Sequence, residues 1–167
     1  MKPNRTAIAI FVTLAALSAA AQSPSQKSFD QMKSLNGVWQ GKNSQGMPVQ
    51  VSYRTTAGGS ALISEIQSDM KGHGEDMISM IHMDGGRLLL THYCAAGNQP
   101  RMVASASPDG KTITFDFLDV TNLSSPGAVH MNRVVINFID ANHHVEEWHA
   151  VGQGKEIVEV FDLQRKG

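Results

Sequence analysis

From residue 38 onward, apolar side chains return at every second position. Val51 and Tyr53 alternate with Gln50, Ser52 and Arg54, and Ile113, Phe115 and Phe117 alternate with Thr112, Thr114 and Asp116. Val134, Ile136 and Phe138 repeat the pattern, as do Ile157, Phe161 and Leu163, interrupted by Glu159. A period of two predicts strands with one dry face each. Turn signals punctuate the runs at nearly even spacing: Gln45-Gly46, Ala57-Gly58-Gly59, Asp84-Gly85-Gly86, Pro108-Asp109-Gly110, Asp140-Ala141-Asn142 and Gly152-Gln153-Gly154. The pattern predicts about ten strands, near 37–42, 48–55, 60–68, 75–83, 87–94, 101–107, 111–119, 130–139, 144–151 and 155–164. No connector is long enough for a crossover helix. Consecutive antiparallel strands with one apolar face lose their exposed edges by closing on themselves, so the expected fold is all-β, a closed up-and-down β-barrel. A two-sheet sandwich is the alternative. One short helix is expected, Phe29 to Leu35, opened by Ser28 and Gln31 as a capping box.

The beginning of the chain has a different character. Lys2 and Arg5 precede an apolar run from Thr6 to Ala20 that ends in small residues, with Ala19 and Ala21 spaced as a signal peptidase prefers. Residues 1 to 21 are therefore expected to be an export signal, residues 22–34 a polar leader with the short helix, and 35–167 the barrel domain. The chain is expected to be periplasmic or secreted. No cysteine stands at position 22 to take a lipid anchor, and no integral membrane segment remains once the signal is cleaved.

Composition sharpens this reading. With 14 Lys+Arg against 15 Asp+Glu and a net charge of -1, the chain offers no electrostatic reason to bind nucleic acid. Cys94 is the only cysteine, so no disulfide forms within the chain and stability must come from a packed core. A domain of roughly 150 residues buries enough surface for that.

The segment Leu35-Asn36-Gly37-Val38-Trp39-Gln40-Gly41 places Gly, any residue, then Trp on the first strand directly after a helix. It resembles the opening signature of the lipocalin and wider calycin barrels. That resemblance implies that Trp39 plugs one end of the barrel and that Arg165, at the end of the last strand, stacks on it. It also implies a cup for a small hydrophobic or amphipathic ligand. The ten-strand count is similar to that of the intracellular fatty-acid carriers and the haem-binding nitrobindins. A haem site of the latter kind would need a histidine near the chain end, and nothing after His149 serves, so no cofactor is expected. The stretch Leu90 to Met102 resembles a block in small exported bacterial proteins.

Candidate ligand-binding residues are Tyr53, Met80, His82, Leu90, His92, Phe115, Phe117, Phe138, Glu147 and His149, with Trp39 and Arg165 as the barrel closure. Val51, Ile136 and Phe161 are further interior candidates. The placing of Met80 and His82 rests on a three-residue connection at Asp84–Gly86, which would put Met80, His82, Leu88, Leu90, His92 and Cys94 on one face. On strand 144–151, Val145, Glu147 and His149 share one face while Glu146, Trp148 and Ala150 share the other. Alternation does not choose between them. The loops Ala95–Pro100 and Asn122–Val129 would frame the mouth.

Two other chemistries compete with ligand carriage. Met70, His73, Met77, Met80, His82 and Met83 form a soft donor set, but Met77 and Met83 would stand about 20 Å apart on a strand, so no metal site is expected. His92 and Cys94 share a face without an oxyanion loop or a nucleophile motif, which leaves a hydrolase or isomerase site at the mouth as an alternative and catalysis as the less expected outcome. The expected partner is the small ligand, with the chain a monomer or weak homodimer.

Overall fold

The computed structural model describes residues 22–68 and 75–167. The expected export signal, and Met70 and His73 of the soft donor set, lie outside the described residues. Ten antiparallel strands close into one barrel: β1 (Gly37–Asn43), β2 (Pro48–Thr56), β3 (Ala61–Ser68), β4 (Glu75–Asp84), β5 (Arg87–Tyr93), β6 (Gln99–Ala106), β7 (Thr112–Thr121), β8 (His130–Asp140), β9 (His143–Gly152) and β10 (Lys155–Arg165). Each strand pairs with its neighbours in sequence, and β10 pairs with β1 to shut the sheet. The up-and-down order expected from the turn spacing is the order found. Closure places Gly41 opposite Leu163, and here a side chain would have no room: a Cβ on Gly41 would lie 1.7 Å from the Asp162 carbonyl oxygen.

Helix α1 (Pro24–Lys33) begins earlier than the capping-box pattern suggests. Ser23 is the N-cap, its hydroxyl accepting from the Gln26 amide, and Pro24 opens the first turn, where its missing N–H costs nothing. Ser28 lies inside the helix, buried, and donates back to the Pro24 carbonyl. Phe29 and Met32 turn into the core, and Gln31 donates to the Gly110 carbonyl in the β6–β7 turn. The helix thus covers one end of the barrel, called here the closed end.

At that end Arg165 lies over the Trp39 ring, 4.2 Å from its centroid. Its guanidinium also donates to the carbonyls of Ser34, Asn36 and Ala141. The Trp39 indole donates to the Leu35 carbonyl at 2.7 Å. One cation therefore ties the exit of α1, the β8–β9 turn and the last strand to the plug residue.

The barrel is filled with side chains from its closed end to its waist. Val51, Leu62, Leu88, Met102, Ile113, Phe115, Val134 and Leu163 have no exposed surface at all, which is the close packing of a protein interior and leaves no cup running the length of the barrel.

The other end is different. β7 pairs with β8 only over Thr112–Asp116, after which Phe117 and its successors follow β6 while His130 and Met131 follow β9. Two side chains that the register aims inward are largely open to solvent there: Phe117, opposite buried Met102, is 40% exposed, and Ile157, opposite Ala150, is 61% exposed. The segment between β7 and β8 crosses this open end. Asn122 donates to the Gly97 carbonyl, Asn98 to that of Val129, and the Gln153 amide to that of Gly127.

Candidate functional site

A ring of polar side chains lies inside the barrel, drawn from β2–β5 and β9. Register alone lines up four inward residues on consecutive strands: Tyr53 on β2 faces Ser64 on β3, Ser64 faces Ser79 on β4, and Ser79 faces His92 on β5. The circuit continues through β9. The His92 ring packs against the Trp148 indole with centroids 4.8 Å apart, Trp148 Nε1 donates to Glu146 Oε2 at 2.8 Å, and the Tyr53 hydroxyl donates to Glu146 Oε1 at 2.6 Å. His144 Nε2 donates to the same Oε1 at 3.0 Å, and the His144 ring meets Trp39 edge-on at 4.3 Å. The polar contacts thus run from the Trp39 plug to the middle of the barrel.

Glu146 is completely buried. Burial by itself raises its carboxyl, but the His144 imidazole and the hydrogen bonds from Tyr53 and Trp148 outweigh it and hold the group below the ordinary carboxylate range. The carboxylate is therefore charged in the core, a state several donors can sustain where one could not. Burial and the neighbouring Glu146 charge together push the Tyr53 hydroxyl well above its usual range, so it remains a donor.

His92 is the opposite case. Nothing charged offsets its burial, which pushes the imidazole down to about 4. It is neutral at pH 7. Its Nδ1 lies 2.9 Å from the Ser79 hydroxyl, while Nε2, at the tip of the ring, is buried without a hydrogen-bond partner. A neutral imidazole oriented at one nitrogen and free at the other is a recognition element, or a general base where a substrate can reach it.

The candidates from sequence divide cleanly by face. Tyr53, Leu90, His92 and Phe115 point inward and are buried; Phe138 points inward and packs against the core from the edge; Phe117 is at the open end. Met80 and His82 are on the outer face. The turn after β4 is one residue tighter than the three-residue connection supposed, with Asp84 opposite Arg87, so Met83 faces Leu88 and His82 faces Leu89. That single slip reverses the whole of β4: Met77, Ser79 and Ile81 go in and Met80 and His82 go out. Glu147 and His149 also face outward. Glu147 accepts from Asn137, and His149 Nδ1 lies 3.0 Å from Glu156 on the neighbouring strand.

Sequence reasoning did not single out Ser64, Ser79, His144 or Glu146. The signal for the last two was present, because His144, Glu146 and Trp148 alternate on one face. Both faces of β9 carry a histidine and a glutamate, so polarity could not separate them; the large indole decides, since leaving it in water forfeits more apolar burial than any other residue on the strand. Among the described residues no group of three or more His, Cys, Asp or Glu side chains is arranged to hold a metal ion.

No protein-family model matches the chain, and no curated protein sequence matches it. Among solved structures, the chain is similar to that of the protein Rv2717c from M. tuberculosis, with a TM-score of 0.57 and 15% sequence identity over 84% of this chain and 98% of that one. At that identity the likeness is one of fold alone.

Proposed function

We propose that this chain is an exported binding protein that takes a small amphipathic molecule at the open end of its barrel, above the polar ring. The observation that carries the reading is the contrast between the two ends. Inward side chains at the waist are fully buried, whereas Phe117 and Ile157, equally inward by register, are 40% and 61% exposed. Apolar side chains that face a concavity and remain wet are surface waiting for a ligand. Met131 and Val129 stand beside them, on the inner face opposite Ala150 and against Gly152. The driving force for binding is removal of this apolar surface from water.

The packed waist limits the size of the guest. A long acyl chain has no channel to follow, so the seat is a bowl at the mouth and not a full-length cup. A lipocalin-like kinship belongs to the proposal as well. It is supported by Trp39 at the closed end under Arg165, and the export by the Lys2, Arg5 and Ala19-to-Ala21 pattern.

Native mass spectrometry of the purified protein lacking residues 1 to 21 tests the reading. A co-purifying species of small-lipid mass is expected, lost in the Phe117→Asp/Ile157→Asp double variant. A protein that carries no such mass, and takes up no dodecyl amphiphile after delipidation, overturns it.

A further inference from the structure

Three buried atoms of the polar ring have no hydrogen-bond partner, Ser64 Oγ, His144 Nδ1 and His92 Nε2, and His92 is the one packed on Trp148, whose strand leads to this seat. His92 Nε2 is buried without a partner, while Ser79 holds the other ring nitrogen at 2.9 Å. A buried polar atom left unpaired is costly, so an arrangement that keeps one and orients it with a second side chain has a use for it. Trp148 backs the ring at 4.8 Å. From that contact the inner face of β9 leads through Ala150 to Gly152, where Val129 of the crossing segment closes the path: a Cβ at Gly152 would fall 2.6 Å from Val129 Cγ2. Among the described residues three hydrogen bonds to the β5–β6 and β9–β10 connections hold this segment in place, and Val129 itself is 45% exposed.

We propose, resting on the binding reading above, that the guest's polar end is an uncharged hydroxyl group that hydrogen-bonds His92 Nε2 once the Val129 segment lifts, its apolar body lying against Phe117 and Ile157. The chemistry of the surroundings selects that head group. The charges on the inner face of this half are acidic, Glu146 in the ring and Glu159 opposite Trp148 on β10, where Ser44 donates to it. The cation that the register puts on this face, Lys155 opposite Gly152, stands exposed at the rim, beyond Ile157 from Glu159. A carboxylate or phosphate at His92 would therefore lie away from that rim cation and beside two like charges. An ammonium group at His92 would find the acceptors of Glu146 occupied by Tyr53, His144 and Trp148, and one oxygen of Glu159 held by Ser44 in the turn between β1 and β2. A hydroxyl both donates and accepts, so it satisfies Nε2 in either tautomer that the Ser79 contact permits. The neutral state of His92, whose proton is bound only near pH 4, is in keeping with an uncharged guest.

Three probes with the same chain decide the matter: dodecan-1-ol, dodecanoate and dodecylamine, titrated at pH 7 into the delipidated protein and followed by the fluorescence of Trp148, which touches His92. Dodecan-1-ol is expected to bind at least about tenfold more tightly than either charged probe. His92→Leu is expected to weaken dodecan-1-ol about five- to tenfold, the worth of one hydrogen bond, and to leave dodecanoate unchanged. Equal binding of all three, or preference for a charged probe, overturns the hydroxyl assignment while leaving the binding reading standing. Binding of none of them overturns both. The comparison on the unaltered protein decides even where His92→Leu fails to fold.

Discussion

The Tyr53 hydroxyl reaches across the barrel from β2 to donate to Glu146 on β9, at 2.6 Å and out of contact with water. The two residues are 93 positions apart, and neither strand touches the other in the sheet. This bond and the Trp148 bond to the other carboxylate oxygen make the barrel's interior specific where apolar packing alone would accept many arrangements.

Removing the charge or a donor should therefore be felt through the whole fold. Glu146→Gln replaces an acceptor of three donors with an amide that presents its own N–H groups to them, and an unfolding free energy lower by about 3 kcal/mol is expected. Tyr53→Phe removes one charge-assisted bond and should cost about 2 kcal/mol. Urea denaturation of the two variants measures both; a Glu146→Gln protein as stable as its parent would show that the carboxylate is not ionised in the core.

Acid should destabilise the protein through His92. Its imidazole titrates near 4 in the folded chain and near 6.5 when unfolded, so between those values the unfolded chain holds a proton that the folded one refuses. Stability falls as pH drops from about 6.5 toward 4, by about 3 kcal/mol in total, and levels off below. Glu146, held low in the folded state, adds a loss in the same direction at more acid pH. His92→Gln should flatten the slope between pH 6.5 and 4 in a series of urea denaturations, and an unchanged slope would assign it elsewhere.

The closed end offers a separable test. Arg165→Lys keeps the charge but loses the planar fork that serves the Ser34, Asn36 and Ala141 carbonyls and covers Trp39. Roughly 1–2 kcal/mol of stability should be lost, together with a change in Trp39 emission, and binding at the far end should be unaffected. Altered amphiphile affinity in this variant would mean that the two ends are coupled.

Two glycines predict opposite outcomes for the same small change. Gly41→Ala drives a methyl group into the Asp162 backbone, which cannot give way without opening the β1–β10 seam; loss of on the order of 3 kcal/mol or complete unfolding is expected. Gly152→Ala meets Val129 instead, on a segment with few ties. Its stability should change little, while amide exchange across residues 127–130 speeds up and amphiphile uptake quickens. Unfolding of Gly152→Ala with the vigour of Gly41→Ala would show that the crossing segment is part of the core.

The chain's own pattern of alternation and turns determined the barrel: strand number, strand order and, within about two residues, strand limits could be read from a period of two broken by Gly, Asn and Asp, because each strand needs one dry face and each hairpin needs residues that tolerate tight backbone. Trp39 and Arg165 were marked by the resemblance of the Gly37-Val38-Trp39 segment to a known barrel signature and not by the alternation. What it left open was facing and occupancy. One residue in the β4–β5 turn moved Met80 and His82 outside and Ser79 inside, and a turn that differs by one residue leaves almost the same local pattern of apolar positions. On β9, two faces of equal polarity were separated only when Trp148 found a place among the other large side chains. The polar ring is completed by closure: register alone sets Tyr53, Ser64, Ser79 and His92 side by side on consecutive strands, but Glu146 and Trp148 of β9 reach Tyr53 and His92 only when the sheet bends round and brings strands that never pair together across the core.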